Sequence, residues 1–233
     1  MVSAIIVAAG VSRRMGFDKI LAQINGKPVI HWSLSAFQKC KDVDEMVVVI
    51  REDAIEQMRK LVADEGLTKV REVVAGGDER HISVWNGLQA VKSEGCEYVA
   101  IHDGARPLVT PKLISDCLKL AKKSGAACCA APVADTVKQA SYELVVSGSV
   151  DRQNLWAMQT PQIFSSALIL QAYASLIAHN ESVTDEVSAV QKIGKRVVLL
   201  KNDDYNFKIT FPRDLPLAEQ VLDIRSAKAV SGI

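Results

Sequence analysis

Aromatic residues make up only 5% of the 233 residues, too few for rows of base-stacking platforms. The net charge is +1, which leaves no broad basic field for nucleic acid or an anionic membrane. No apolar run approaches the roughly 18 residues that a spanning helix needs. No charged segment precedes the first apolar stretch, so a signal peptide is not expected either. The five cysteines (Cys40, Cys96, Cys117, Cys128 and Cys129) are odd in number and contain no CxxC pair. They read as core thiols of a reducing, cytoplasmic protein rather than as disulfides or zinc ligands. The four histidines, His31, His81, His102 and His179, are scattered without metal-ligand spacing. No Ser/His/Asp or Cys/His set stands out. His102 reads as a packed imidazole, and Trp32, Trp85 and Trp156 as core or interface residues.

What is present is an ordinary globular balance of 48% hydrophobic and 24% charged residues. The length suits a single domain over residues 1–233. Apolar runs at Ala4–Val7, Met46–Ile50, Lys69–Ala75, Tyr98–His102 and Ala126–Val133 read as buried strands. Helical spacing fills the segments between them: Pro28–Cys40, Asp53–Asp64 with Asp53 and Glu56 resembling a capping pair, Glu79–Lys92, and a helix opened by Thr110-Pro111. Further helices are expected at Ser165–His179, Thr184–Lys192 and Pro212–Lys228, and a last strand at Arg196–Leu200. This alternation predicts an α/β fold, Rossmann-like, with a mostly parallel twisted sheet covered by helices on both faces. The stretch at about 135–152 departs from the pattern, alternating polar and β-branched residues. It predicts a protruding β-arm, which needs cover from a second subunit or from its own domain.

In an open parallel sheet, ligands sit beyond the C-terminal strand ends. Several unusual polar clusters fall there: Ala8-Ala9-Gly10 and the basic loop to Arg13, Arg14 and Lys19, then Gly76-Gly77-Asp78-Glu79-Arg80, His102–Pro107 and Asp135-Thr136. A glycine admits backbone N–H groups close to an anion, and cations just beyond it suit phosphates. A solvated basic loop is the plainer alternative. The loop is neither a Walker loop nor GxGxxG, so an NAD-dependent reading is weak. Asp103, at a strand end, can hold Mg²⁺ between itself and phosphate oxygens, bond a ribose, or brace the loop. Gln159-Thr160-Pro161-Gln162 reads as a turn, Thr184-Asp185-Glu186 as a capped helix start, and Lys208 as a lysine on the polar side of an extended segment.

Taken together, Ala8-Ala9-Gly10-x-x-x-Arg14-Met15 with Lys19, Gly77-Asp78-Glu79-Arg80-x-x-Ser83, His102-Asp103-x-Ala105-Arg106-Pro107, Asp135-Thr136, Val150-Asp151-Arg152, Gln159-Thr160-Pro161-Gln162, Thr184-Asp185-Glu186 and Asn206-x-Lys208-Ile209-Thr210 run in order through the chain. This series resembles the nucleotidyltransferases that join an NTP to a phosphorylated polyol, and most closely the 2-C-methyl-D-erythritol 4-phosphate cytidylyltransferase family of non-mevalonate isoprenoid synthesis. The resemblance implies Arg14, Lys19 and Lys208 as catalytic cations. It implies Ala8, Ala9, Gly10, Gly77, Asp78, Ser83 and Asp103 as CTP contacts. Arg106, Thr136, Arg152, Thr160 and Thr184 would receive the polyol phosphate, and Asp103 would lie near a Mg²⁺ ion. It also implies a homodimer through the arm, with Arg152 serving the partner's site. Departures are Gly104 where alanine is common, Asp18 where proline often precedes the lysine, and Tyr205 where some relatives carry an acid.

The reaction so implied is transfer of CMP from CTP to the polyol phosphate, releasing pyrophosphate. An attacking phosphate dianion needs no general base, in keeping with the missing histidine or cysteine constellation. Another acceptor such as ribitol 5-phosphate is the nearest alternative. A non-catalytic nucleotide-binding regulator is the alternative of a different class.

Overall fold

The computed structural model describes residues 1–10, 15–92 and 94–231. In chain order its elements are β1 (Val2–Val7), a short hairpin of β2 (Gln23–Ile24) and β3 (Lys27–Pro28), α1 (Val29–Lys39), β4 (Glu45–Ile50), α2 (Ile55–Asp64), β5 (Val70–Ala75), α3 (Arg80–Ala90), β6 (Tyr98–Asp103), α4 (Pro111–Ser124) and β7 (Ala126–Pro132). Then come β8 (Lys138–Ala140), β9 (Val146–Ser149), β10 (Trp156–Ser165), α5 (Ser166–Ala178), α6 (Glu186–Lys192), β11 (Val198–Lys201) and α7 (Asp214–Ser231). Seven strands form one sheet in the order β11-β7-β10-β6-β1-β4-β5. All neighbours are parallel except β10, which runs antiparallel to both β6 and β7. The sheet is therefore mixed and mostly parallel.

Side chains alternate across the sheet, so consecutive residues of one strand enter different cores. Ala4 and Ile6 face a core shared with Leu34 and Phe37 of α1, Met58 of α2 and Ile114 and Leu118 of α4. Ile5 between them faces the other core, with Val84 and Leu88 of α3, Tyr173 of α5 and Val190 of α6. Burial on both faces explains why β1 and β4 read as unbroken apolar runs. A third cluster seats α7, through Ala218, Val221 and Leu222, on Met15, Ile24, Leu108 and Ile209. All five cysteines are free thiols, and Cys40, Cys117, Cys128 and Cys129 are buried. The Thr110 hydroxyl caps α4 by accepting from Leu113 N, and Gly125 ends that helix at φ 81°.

Two local expectations are corrected. Gln159-Thr160-Pro161-Gln162 is not a turn but the bulged middle of β10, where the register with β7 shifts between Met158 and Gln162. Proline has no ladder donor, so the strand bulges there, and the bulge breaks the two-residue alternation that would mark a strand. The Asp53–Glu56 capping pair is absent as well. Residues 52–54 form a 3₁₀ turn without a side-chain cap, and Asp53 accepts from Arg51 Nε at 3.1 Å.

The topology creates a switch point. After β1 the chain builds outward through β4 and β5, then returns to the other side of β1 with β6. The loops after β1 and β6 therefore part in opposite directions and leave a crevice at their C-terminal ends. Gly76, just beyond β5, packs so closely that a Cβ on it would lie 2.3 Å from Ala9 Cβ and 2.8 Å from Ser83 Oγ. Gly104 is less tight, its nearest contact for a Cβ being 3.3 Å to Ala8 Cβ. Gly76→Ala should therefore lower unfolding free energy by about 1–3 kcal/mol in urea titrations, while Gly104→Ala stays within about 1 kcal/mol of wild type.

Candidate active site

Asp103 is the last residue of β6, and its carboxylate is the centre of the crevice. Arg80, the first residue of α3, donates to Asp103 Oδ1 from Nε (3.2 Å) and Nη2 (3.0 Å). Lys208 Nζ donates to Oδ2 at 2.9 Å. Arg106 Nε lies 3.8 Å from the same oxygen. Burial by itself would raise the carboxyl pKa. The charges of Arg80, Lys208 and Arg106 outweigh it and hold Asp103 well below the usual carboxylate range. Burial likewise works against the Arg80 cation, but Glu186 and Asp103 together hold its pKa above the ordinary value. Arg106 is pushed down by burial, with Asp103 opposing.

His102 and Thr160 hold the other side of Asp103. The Asp103 N–H donates to Thr160 Oγ1 at 3.1 Å, and Thr160 Oγ1 lies 2.9 Å from His102 Nδ1. His102 Nε2 lies 3.3 Å from the Arg106 carbonyl, an acceptor, so Nε2 carries the proton and Nδ1 accepts from Thr160. His102 is the packed imidazole expected, fully buried against Phe37. Burial lowers its pKa to about 3.

The two predicted catalytic lysines converge here. Lys19 Nζ donates to the Ile209 carbonyl at 3.1 Å, one residue from Lys208. The turn that delivers Lys19 is pinned by Asp18, whose carboxylate accepts from Ile20 N (3.0 Å) and from Arg51 Nη1 (2.7 Å). Asp18 thus does by ion pairing what a proline would do by restricting φ. Asn206, two residues before Lys208, donates to Thr160 O at 2.8 Å and to Gln159 Oε1 at 3.1 Å. Arg106 spends both Nη groups on carbonyls, Asn206 O at 2.8 Å and Met158 O at 3.3 Å. It braces the Lys208 segment against β10.

The remaining expected residues fall around this centre. Ala8, Ala9 and Gly10 follow β1, with Ala8 N bonded to Val49 O and Gly104 N to Val7 O. Gly77 and Asp78 lie in the loop after β5, Asp78 exposed. Ser83 is buried, and its hydroxyl is committed to that loop, accepting from Gly77 N and lying 3.1 Å from Glu79 O. Thr160 is buried behind Asp103, whereas Thr184 is exposed just before α6. Thr136 and Arg152 are exposed at the base of the arm, where Arg152 donates to Ala134 O. Arg14 lies outside the described residues, as do Val11, Ser12 and Arg13.

The deepest parts of the cluster were not assigned a role from sequence. Arg80 sits inside a quoted motif but carries no role there. Glu186 reads as a helix-capping acid. The cap is instead Asp185, which accepts from Ser188 N at 3.0 Å, while Glu186 is buried against Arg80 and Tyr173. Tyr173 carries no sequence signal beyond core character. Among the described residues no three His, Cys, Asp or Glu side chains are gathered for a metal. Both Asp103 oxygens already face cations, so a divalent ion here must bring most of its ligands with it. That fits an ion arriving on a triphosphate, which commonly meets the protein through one or two carboxylates.

Lys19, Lys208 and an arginine-held carboxylate gathered at a switch-point crevice suit the phosphates of a nucleotide, as the nucleotidyltransferase class requires. The family model described as IspD, 2-C-methyl-D-erythritol 4-phosphate cytidylyltransferase, matches residues 2–224. The chain belongs to that family. Curated relatives of this name include one from Lachnospira eligens, 40% identical over 94% of this chain and 97% of its own length. One from Caldanaerobacter subterraneus is 41% identical over 95% and 98%. Among solved structures, the 4-diphosphocytidyl-2C-methyl-D-erythritol synthase of Anaerococcus prevotii superposes with a TM-score of 0.83 at 29% identity, covering 96% of each chain. The 2-C-methyl-D-erythritol 4-phosphate cytidylyltransferase of Thermus thermophilus gives 0.78 at 31% identity, covering 94% of this chain and 98% of its own.

The His102 environment makes stability pH-dependent. Its folded pKa lies below the unfolded value of 6.5, so the unfolded chain binds the proton first as pH falls. The contribution of neutral His102 is complete above pH 6.5 and is lost toward pH 3. The unfolding free energy from urea titrations should fall with acid by up to ~1.4 kcal/mol per pH unit from this group. His102→Asn should flatten the slope between pH 6.5 and 4.5.

Proposed function

We propose that this chain transfers the cytidylyl group of CTP to 2-C-methyl-D-erythritol 4-phosphate at the Asp103 crevice, giving 4-diphosphocytidyl-2-C-methyl-D-erythritol and pyrophosphate. The acceptor phosphate oxygen attacks the α-phosphorus in line, and the bond from that phosphorus to the β-phosphate bridging oxygen breaks. The observation that carries this reading is that Lys208 Nζ donates to Asp103 at the end of β6 while Lys19 Nζ donates to the carbonyl of the next residue, Ile209, so both lysines are tied to one short segment beside the β1/β6 switch point. Two lysines tied to the same short segment can serve both the acceptor phosphate and the triphosphate. Phosphoryl-type transfer needs little more than such positioning and charge.

The roles then follow. Ala8, Ala9, Gly10 and the loop to Arg14 wrap the triphosphate, and Arg14 and Lys19 stabilise charge on the α-phosphate and the leaving pyrophosphate. Gly77 and Asp78 meet the cytosine, with Ser83 holding their loop in shape. Lys208, Thr184 and Thr136 face the acceptor, and Arg106 and Thr160 keep Lys208 and Asp103 in place. Asp103 would lie nearest a Mg²⁺ ion brought in on the triphosphate, and that ion would supply further charge neutralisation on the phosphates.

The whole chain, residues 1–233, works as a single domain whose arm makes a homodimer. The β8–β9 arm bares Tyr142, Leu144, Val145 and Val146, each more than 60% exposed. A two-stranded ribbon showing such side chains is not self-sufficient in water. A second copy supplies the cover, and Arg152 at its base completes the partner's acceptor site.

Pyrophosphate release with CTP and each of 2-C-methyl-D-erythritol 4-phosphate and ribitol 5-phosphate tests the reaction; release with ribitol 5-phosphate alone overturns the acceptor assignment. Lys19→Ala should cut kcat by ~100–1000-fold with CTP affinity nearly unchanged, measured by steady-state assay beside calorimetric titration. An equal loss in both would sink its role. Arg152→Ala and Lys19→Ala proteins, inactive apart, should recover about a quarter of wild-type activity once mixed and reassociated, since half the dimers then carry one intact site. No recovery, with exchange verified by mass, rejects the shared site.

A further inference from the structure

Behind Asp103 lies a relay of side chains that runs from the crevice into the core. Glu186 is fully buried. Its carboxylate receives Arg80 Nη1 at 2.5 Å and Nη2 at 3.1 Å, and the Tyr173 hydroxyl donates to the same carboxylate at 3.1 Å. Tyr173 is fully buried too, stacked on Trp85 with ring centroids 6.5 Å apart and planes 2° from parallel. The adjoining edge of the Arg80 guanidinium, Nε and the shared Nη2, holds Asp103 Oδ1. Because Oδ1 is taken in this way, Oδ2 turns to Lys208. A rigid planar fork thus joins a carboxylate in the core to a carboxylate in the crevice.

We propose that Glu186 is a positioning residue for the transfer reaction: braced by Tyr173, it fixes the Arg80 fork, which orients Asp103 and through it places the Lys208 ammonium. The proposal rests on the functional reading above, in which Lys208 acts on the acceptor phosphate. Stability alone is a poor reason for this arrangement, because a buried ion pair is commonly matched or bettered by apolar side chains of the same volume. What a charged fork provides and an apolar pair does not is direction. Nor is Glu186 needed to start α6, since Asp185 does the capping. Its position two residues after Thr184 gives a competing role, that of anchoring the loop before the helix, and the test separates the two.

The experiment is steady-state pyrophosphate release by full-length protein, with thermal unfolding followed on the same samples. Glu186→Gln should lower kcat on the order of 10–100-fold while both KM values move by less than about threefold. Arg80→Lys keeps the charge but cannot bridge two carboxylates, and should lose a similar factor. Tyr173→Phe, which removes only the hydroxyl, should lose about two- to fivefold. The loss in the Glu186→Gln/Arg80→Lys double variant should match that of Arg80→Lys rather than the product of the two. Wild-type kcat in folded Glu186→Gln overturns the proposal, and so does multiplicative loss in the double variant. A raised acceptor KM at unchanged kcat also overturns it, since Glu186 would then serve the Thr184 loop. If Glu186→Gln does not fold, wild-type kcat in both Arg80→Lys and Tyr173→Phe has the same force. Wild-type protein that releases no pyrophosphate fails the functional reading at the outset and takes this proposal with it, a result distinct from a variant that matches an active wild type.

Discussion

The Asp103 carboxylate is the constraint on which the site depends. A carboxylate this buried carries a desolvation cost of several kcal/mol unless cations surround it. Here they come from three separate places in the chain. Arg80 stands at the start of α3, Arg106 in the loop after β6, and Lys208 in the extended segment before α7. Each would be repelled by the others without the anion between them. One aspartate at the end of one strand therefore holds segments together that are about a hundred residues apart in sequence. It does so with charge to spare. Asp103 and Glu186 face Arg80, Arg106 and Lys208, with Lys19 adjacent, and the residual positive charge suits a polyphosphate.

The sheet supplies the rigid frame for that charge. Parallel strands β1, β4, β5 and β6 end at a common level, tied by Ala8 N to Val49 O, Gly76 N to Ile50 O and Gly104 N to Val7 O. Their loops therefore start from fixed points. Antiparallel β10 does something different. Its bulge between Met158 and Gln162 presents carbonyls and side chains sideways, and Asn206 binds Gln159 and Thr160 there while Arg106 binds the Met158 carbonyl. The bulge is the dock on which the Lys208 segment lands, which gives a physical reason for a proline in the middle of a central strand. The Thr160 hydroxyl then links that dock to His102 and the Asp103 amide.

Much of the fold was legible because its signals are local. Continuous apolar runs mark strands buried on both faces, and β1, β4 and β6 carry them. Thr110-Pro111 marks the start of α4 through groups within a few residues of each other. The α7 stripe of Ala218, Val221 and Leu222 is a helical period that needs no knowledge of its partner. β10 was not legible, because its bulge erases the period-two pattern and its proline imitates a turn. In the site, the strand-end position of Asp103 and the basic loop at Lys19 could be found from pattern alone. Glu186 could not, since an acid in a first helical turn usually answers the helix dipole, and nothing local says that this one turns inward.

By itself the sequence determined an alternating α/β chain, the strand ends at which chemistry collects, and, through its ordered motifs, the family. Those are properties of residues near one another or of their order. Only the tertiary structure decided which charges meet. Asp185 solvates a helix end while its neighbour Glu186 enters the core. Ser83 and Arg106 spend their donors on the loops that carry the chemistry, and Asp18 pins the turn bearing Lys19 to Arg51. The reason is electrostatic. The free energy of a charge in a protein is set by what surrounds it in space, and the surroundings of Asp103 are assembled by a sheet whose strand order the chain does not follow.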